Sequence, residues 1–279
     1  MLKQRVMTGL ILAISFLAAL FALPTMAFIA LMSVALVYAA WEWSNLAGLN
    51  SFVGRGFYMF AVVAIGAAMA VYTGFDQNIL FAEKSRFLLL LACSWWAIAV
   101  LWVQGYPSSA VLWGRRSLCL LMGIFVLLPM WLAFVGLLSL GEGPSLVLAV
   151  VLLVALADIG AYFVGRAIGR TKLAPEVSPG KTWEGLLGGQ LAIVVAVATG
   201  GWFLDFELSR IGLWLLLAMV TGLASVLGDL LESMVKRHRG VKDSGTLLPG
   251  HGGVLDRIDG LTAALPVFSL GLSLLYNRL

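Results

Sequence analysis

An all-α, polytopic integral membrane protein is the fold class that this 279-residue sequence predicts. Two figures of composition and one spacing carry the reading. Hydrophobic residues make up 61% of the chain, charged residues 11%, and the mean hydropathy is +1.00. A water-soluble domain holds about 25% charged and about 45–50% apolar residues. Too little polar surface is left here to coat a shell facing water, which excludes a soluble enzyme as well as a disordered or fibrous chain. The spacing is that of the apolar runs. Roughly 20 residues cross a hydrocarbon core about 30 Å thick, and about nine runs near that length follow one another along the chain.

The first run, 6–23, follows Lys3 and Arg5 as a secretory leader would, but no clear A-x-A site closes it. The second, 25–40, starts directly after Pro24, so a retained first helix and a tight helical hairpin are expected. Runs 57–73, 87–103 and 118–138 complete an N-terminal group, 1–140, assigned to packing, dimer contact and lipid. Runs 145–164, 185–204, 211–231 and 260–276 form a C-terminal group, 141–279, expected to be catalytic, with two long polar segments at 165–184 and 236–257. Cys93 and Cys119 fall inside apolar runs and match no zinc or disulfide spacing, so both are read as packing residues.

Basic residues gather on the cytoplasmic side of short loops. With nine spans and a cytoplasmic N-terminus, the outer segments hold Lys84, Arg86, Arg210 and Arg278. The chain has 18 Lys and Arg, so 14 fall inside against these 4. Both polar segments then face the cytoplasm. Neither an internal repeat nor a low-complexity linker divides the chain.

Ionisable groups at membrane depth are expensive, so each needs a partner or a task. Asp158, Glu184, Asp229, Glu232, Asp256 and Asp259 sit in or at the ends of the late spans. Asp229, Glu232, Ser233, Lys236 and Arg237 recur at i, i+3, i+4, i+7 and i+8, which places them in one stripe on a helix. An i,i+4 ion pair accounts for Glu232 with Lys236 but leaves Asp229 without a partner.

The segment from Lys242 to Gly260 adds Asp243, His251, Gly252, Gly253, Asp256, Arg257 and Asp259 in a glycine-rich turn. Such a backbone suits close approach to a ligand or positive φ. Asp229, Asp256 and Asp259 are the hard oxygen ligands that Mg²⁺ favours, with substrate phosphates filling its remaining positions. Lys236, Arg237, Lys242 and Arg257 are suited to phosphate charge. Helix capping by Asp256 is the alternative reading of that carboxylate. His251, inside the turn, is a candidate for contact with phosphate or base, whereas His238, among basic neighbours, reads as solvated.

In the other polar segment, Gly180-Lys181-Thr182 has the end of a P-loop. The pattern fails because Pro175 stands where the first glycine belongs and no strand is expected before it. Ser178, Lys181 and Thr182 still offer phosphate contacts from a loop opening a helix, and Asp158, in the span before them, is counted with the substrate-binding residues. Gly165 and Gly169 read as a small-residue packing step.

The residues Ser233-x-x-Lys236-Arg237, Lys242-Asp243, His251-Gly252-Gly253 and Asp256-Arg257-x-Asp259 together resemble the C-terminal signature of the phosphatidate cytidylyltransferase (CDP-diacylglycerol synthase) family. The block from Ser178 to Gly185 resembles that family's other cytoplasmic loop. The likeness covers about 158–260 and is hydropathic only before that. It implies conversion of CTP and phosphatidate to CDP-diacylglycerol and pyrophosphate at the cytoplasmic face of the inner membrane. It also implies Mg²⁺ with a second, monovalent cation such as K⁺, a homodimer of about nine spans, and no nucleic-acid partner. By position, Asp229 and Asp256 match the metal-centre carboxylates, and Asp259, Ser233, Lys236, Arg237, Asp243 and His251 fill the other signature positions.

Two other enzyme readings and one non-enzyme reading compete. Asp256-x-x-Asp259-Gly260 resembles the start of the CDP-alcohol phosphotransferase block, but Ala263-Ala264 stands where that block has Ala-Arg. Membrane polyprenol kinases also use CTP. A cation pathway would spread its charges through the membrane thickness, whereas here they cluster towards one side.

Overall fold

The computed structural model describes residues 2–74, 79–248 and 250–276, without the side chains of 2–6 and of Ile79. Pro249 and Arg278, and the side chains of Lys3 and Arg5, lie outside the described residues. Among the described residues the chain is a helical bundle: α1 (Leu2–Ala22), α2 (Thr25–Leu46), α3 (Phe52–Thr73), α4 (Glu83–Gln104), a short α5 (Ala110–Trp113), α6 (Arg116–Leu138), α7 (Gly143–Ile168), α8 (Trp183–Phe203), α9 (Leu208–Arg239) and α10 (Leu255–Leu275). Eight of these, α2–α4 and α6–α10, are long and apolar enough to cross a membrane, and α1 holds a shorter apolar stretch, Met7–Ala22. This all-α, polytopic architecture is the one predicted.

Local chemistry sets the helix ends. Pro24, which cannot extend α1, precedes α2, and Phe28 N–H bonds back to its carbonyl at 3.0 Å. Ser51 caps α3 by accepting from Gly54 N–H at 3.0 Å. Near its start, α6 anchors its neighbours: the Trp43 indole of α2 donates to the Cys119 carbonyl at 2.8 Å, and the Tyr58 hydroxyl of α3 to Leu120 at 3.0 Å. Cys119 is buried and Cys93 partly so, and neither forms a disulfide. The α7–α8 crossing depends on small residues. A Cβ at Gly160 would fall 2.7 Å from the Gly188 carbonyl, and Gly165 faces Thr182 and Gly185 in the same way.

Several helices run further than their apolar runs, and the extensions of α9, α2 and α10 carry charged residues. The run 211–231 becomes α9, ending at Arg239, because Leu230, Leu231, Met234 and Val235 stay buried while the opposite face turns polar. At 32 residues, α9 is about 48 Å long against a core of about 30 Å, so it is longer than one span requires. Likewise α2 continues past residue 40 to Leu46, and α10 begins at Leu255 instead of 260. The ends of α2, α7 and α9, with the starts of α8 and α10, meet at one end of the bundle.

Candidate active site

The segment between α7 and α8 is not an open loop. It is a two-stranded antiparallel hairpin, β1 (Lys172–Ala174) and β2 (Ser178–Thr182), with Ala174 opposite Ser178 and Lys172 opposite Thr182. A strand therefore does precede α8, contrary to the sequence expectation, and Gly180-Lys181-Thr182 lies within it. The Thr182 hydroxyl accepts from Gly185 N–H at 3.1 Å, which makes this buried residue the N-cap of α8. The Glu184 carboxylate accepts from Thr171 N–H at 3.1 Å, closing the hairpin base. Arg237 of α9 donates to the Val177 carbonyl at 3.2 Å and pulls the hairpin tip onto that helix.

This folding carries Lys181 to α9, where its Nζ stands 2.5 Å from Asp229 Oδ2. Both side chains remain partly open. Asp229 Oδ1 accepts from the Ser233 hydroxyl one turn later, at 3.1 Å. Asp158 on α7 has Lys181 and Asp229 as its electrostatic neighbours. Across from Asp229 lies Asp259, whose carboxyl accepts from Gly260 N–H at 2.8 Å and also faces Glu232 and Lys236.

A second centre forms around Lys236, which is 7% exposed. Its ammonium donates to Glu232 Oε2 at 3.1 Å and to Asp256 Oδ1 at 2.7 Å, joining α9 to α10. The other oxygen of Asp256 accepts from Ser244 N–H at 2.9 Å, Ser244 Oγ at 2.9 Å and Gly253 N–H at 2.8 Å. Asp256 therefore holds the glycine-rich loop in place and reaches back three residues, much as a capping side chain does. Glu232 Oε1 is buried without a donor.

The sequence reading missed Glu42. This α2 side chain is 3% exposed and accepts from Val254 N–H at 3.1 Å, Leu255 N–H at 2.8 Å and the Ser244 hydroxyl at 3.2 Å. It caps α10 from another helix, placing a carboxylate where free N–H groups and the helix dipole favour one. An acid inside a span was the available signal. Ending the run at residue 40 had left Glu42 in a loop. Ser244, 2% exposed, was passed over because serine is common in such turns.

Beyond these two centres, Lys242, Asp243, His251, Gly252 and Arg257 line a cavity of about 600 Å³ at the loop. His251 Nδ1 is buried without a partner, while its ring edge rests near Gly9 of α1. His238 is exposed, as expected, and its ring also meets Trp113 edge to face at 4.9 Å between ring centroids. Ser178 only opens β2. A second cavity of about 410 Å³ lies between α4, the hairpin, α8 and α9, with apolar walls that include Trp183, Leu186, Leu223, Leu227 and Leu230.

Among the described residues no three His, Cys, Asp or Glu side chains converge into a ready metal cage. Asp256 is committed to Lys236 and the loop. Asp229 and Asp259 do fit Mg²⁺. They are neighbouring hard oxygens beside the donorless Glu232 Oε1, and Mg²⁺ usually takes only one or two carboxylates plus phosphates and water.

Residues 3–275 match the model of the cytidylyltransferase family. The chain is 44% identical over 269 residues to a phosphatidate cytidylyltransferase of Pseudomonas aeruginosa, covering 96% of each protein. To the phosphatidate cytidylyltransferase of Haemophilus influenzae it is 41% identical over 285 aligned positions, covering 96% of this chain and 98% of the other. One from Brucella melitensis is 53% identical over 115 residues, 40% of this chain.

Proposed function

The chain belongs to the cytidylyltransferase family, and from that premise we propose that the Lys181–Asp229 pair, the Lys236 centre and the α9–α10 loop together form its catalytic site. The activity is the conversion of CTP and phosphatidate to CDP-diacylglycerol and pyrophosphate, the activating step of phospholipid biosynthesis. The observation that carries the site is the contact of Lys181 with Asp229. It joins the first polar segment of the C-terminal group to the acidic face of α9.

In the reaction, a phosphatidate phosphate oxygen attacks the α-phosphorus of CTP. The bond from that phosphorus to the oxygen bridging to the β-phosphorus breaks, and pyrophosphate leaves with the electron pair. The attacking oxygen is already anionic, so the work is positioning and charge stabilisation. Lys242 and Arg257 wall the loop cavity and bind the β and γ phosphates, with His251 beside them. Asp243 adds an acceptor to that wall, suited to the N–H and O–H groups of a nucleoside. Lys181 meets the phosphate of the lipid. Arg237 and Lys236 hold the hairpin and the loop, while Gly252 and Gly253 let the backbone approach. Mg²⁺, held by Asp229 and Asp259, neutralises phosphate charge when bound. Six carboxylates, Glu42, Asp158, Asp229, Glu232, Asp256 and Asp259, gather around the ammonium groups of Lys181 and Lys236. That excess supports a second, monovalent cation such as K⁺.

The lipid's acyl chains remain in the bilayer, and the apolar cavity beside Trp183 and Leu227 takes the first part of one chain. The protein is a multi-pass membrane protein. The split of Lys and Arg read from the sequence, 14 against 4, supports a cytoplasmic N-terminus and a site on the cytoplasmic face of the inner membrane. In this reading residues 141–279 are the catalytic part, residues 1–140 its packing partner, and the protein is a homodimer that binds no nucleic acid. Thin-layer chromatography of the lipid formed from CTP and phosphatidate tests the proposal. Cytidine and α-phosphate labels are expected on the lipid, whereas a γ-phosphate label there would indicate a lipid kinase.

A further inference from the structure

Glu42 lies on the second helix, far in sequence from the catalytic segments, yet its carboxylate touches both ends of the loop between α9 and α10. At one end it accepts from the Ser244 hydroxyl, and at the other from Val254 and Leu255 N–H. The approach is so close that a side chain at either flanking glycine would collide with it: a Cβ at Gly245 or at Gly253 would fall well inside contact distance of Glu42 Oε1. Ser244 divides its hydroxyl between Glu42 and Asp256, and Asp256 is held in turn by Lys236. One chain of contacts thus runs from α2 through the loop to α10 and α9. The walls of the loop cavity, Lys242, Asp243, His251 and Arg257, lie between or just beyond these anchor points.

We propose that Glu42 is a positioning residue for the nucleotide, fixing the loop so that Lys242, His251 and Arg257 meet the phosphates of CTP. The inference rests on the cytidylyltransferase reading of the site. Glu42 lines neither cavity, so it acts through the loop alone. Glu42→Gln is nearly isosteric but sets an amide N–H₂ where one carboxylate oxygen accepted, facing a donor with a donor. A loop loosened in this way loses its grip on CTP while the lipid side of the site is untouched.

The test uses the purified full chain in detergent, with KM for CTP, KM for phosphatidate, kcat and the thermal midpoint measured for Glu42→Gln and Ser244→Ala. The expected result for Glu42→Gln is a KM for CTP raised at least tenfold, with KM for phosphatidate within twofold and the midpoint close to that of the unsubstituted protein. Ser244→Ala, which removes only the shared hydroxyl, is expected to show the same split at about threefold and decides the matter if Glu42→Gln does not fold. Unchanged constants would overturn the proposal. So would equal rises in both KM values, or a fall in kcat alone that tracks a lowered midpoint. If the unsubstituted protein forms no cytidylylated lipid, the reading of the site fails instead, and the two failures are thereby told apart.

Discussion

Lys181 Nζ stands 2.5 Å from Asp229 Oδ2, so a strand residue from the turn between α7 and α8 closes onto a carboxylate about 15 Å inside the end of α9. The pair is partly open on both sides, which distinguishes it from the buried Lys236 centre next to it. An open ion pair at the rim of an acidic cluster is poised to exchange its carboxylate for a phosphate. Lys181→Ala is therefore expected to lower kcat about 10²-fold, the scale on which one preorganised charge contributes to a transition state. Initial rates at saturating CTP measure it, and a loss below threefold would remove Lys181 from the chemistry.

Lys236 is expected to matter for stability as well as for activity. Its ammonium is the cation between Glu232 and Asp256, and removing one partner of a buried ion pair costs about 3–5 kcal/mol. Lys236→Met should lower the thermal midpoint markedly, whereas Lys181→Ala should barely change it. Differential scanning in the same detergent compares the two.

The apolar cavity between the hairpin, α8 and α9 is expected to govern the lipid substrate. Leu227→Trp fills its wall and should raise KM several-fold for phosphatidate with long acyl chains, with little change for a short-chain analogue or for CTP. Equal effects on both lipids would show that the acyl chain lies elsewhere.

Chelation is expected to abolish turnover, and added Mg²⁺ to restore it, because the carboxylates of Asp158, Asp229, Glu232, Asp256 and Asp259 outnumber the ammonium groups of Lys181 and Lys236. Activity unchanged after exhaustive treatment with EDTA would contradict that assignment.

Much of this was legible in the residues alone. The apolar runs predict the spans because burial in lipid demands uninterrupted hydropathy, and the i, i+3, i+4 stripe from Asp229 to Arg237 predicts a polar helix face. The helix ends were harder to read. Hydropathy stops at the first charges, while the helix continues as long as Leu230, Met234 and Val235 find a core. The hairpin at 172–182 escaped notice because its strands are short and rich in Pro, Gly and Lys, against ordinary strand preference. An acid near a span end could have marked Glu42, but its pairing with Ser244 lay beyond reach for another reason. Their role exists only through a contact between residues 202 positions apart, and no local pattern announces such a pairing. Asp256 has the residue type and spacing of a metal ligand, and its hydrogen bonds to Ser244 and Gly253 add the contacts of the capping reading.

Replacing Asp229 by Asn tests the whole arrangement most directly. The substitution keeps the size of the side chain and removes the charge that faces Lys181, Asp158 and Asp259. With labelled CTP and phosphatidate, the variant should reach the membrane in normal amount and form CDP-diacylglycerol at least 10²-fold more slowly. Turnover within a few-fold of the unsubstituted protein would mean that nucleotide and lipid meet somewhere other than beside this carboxylate.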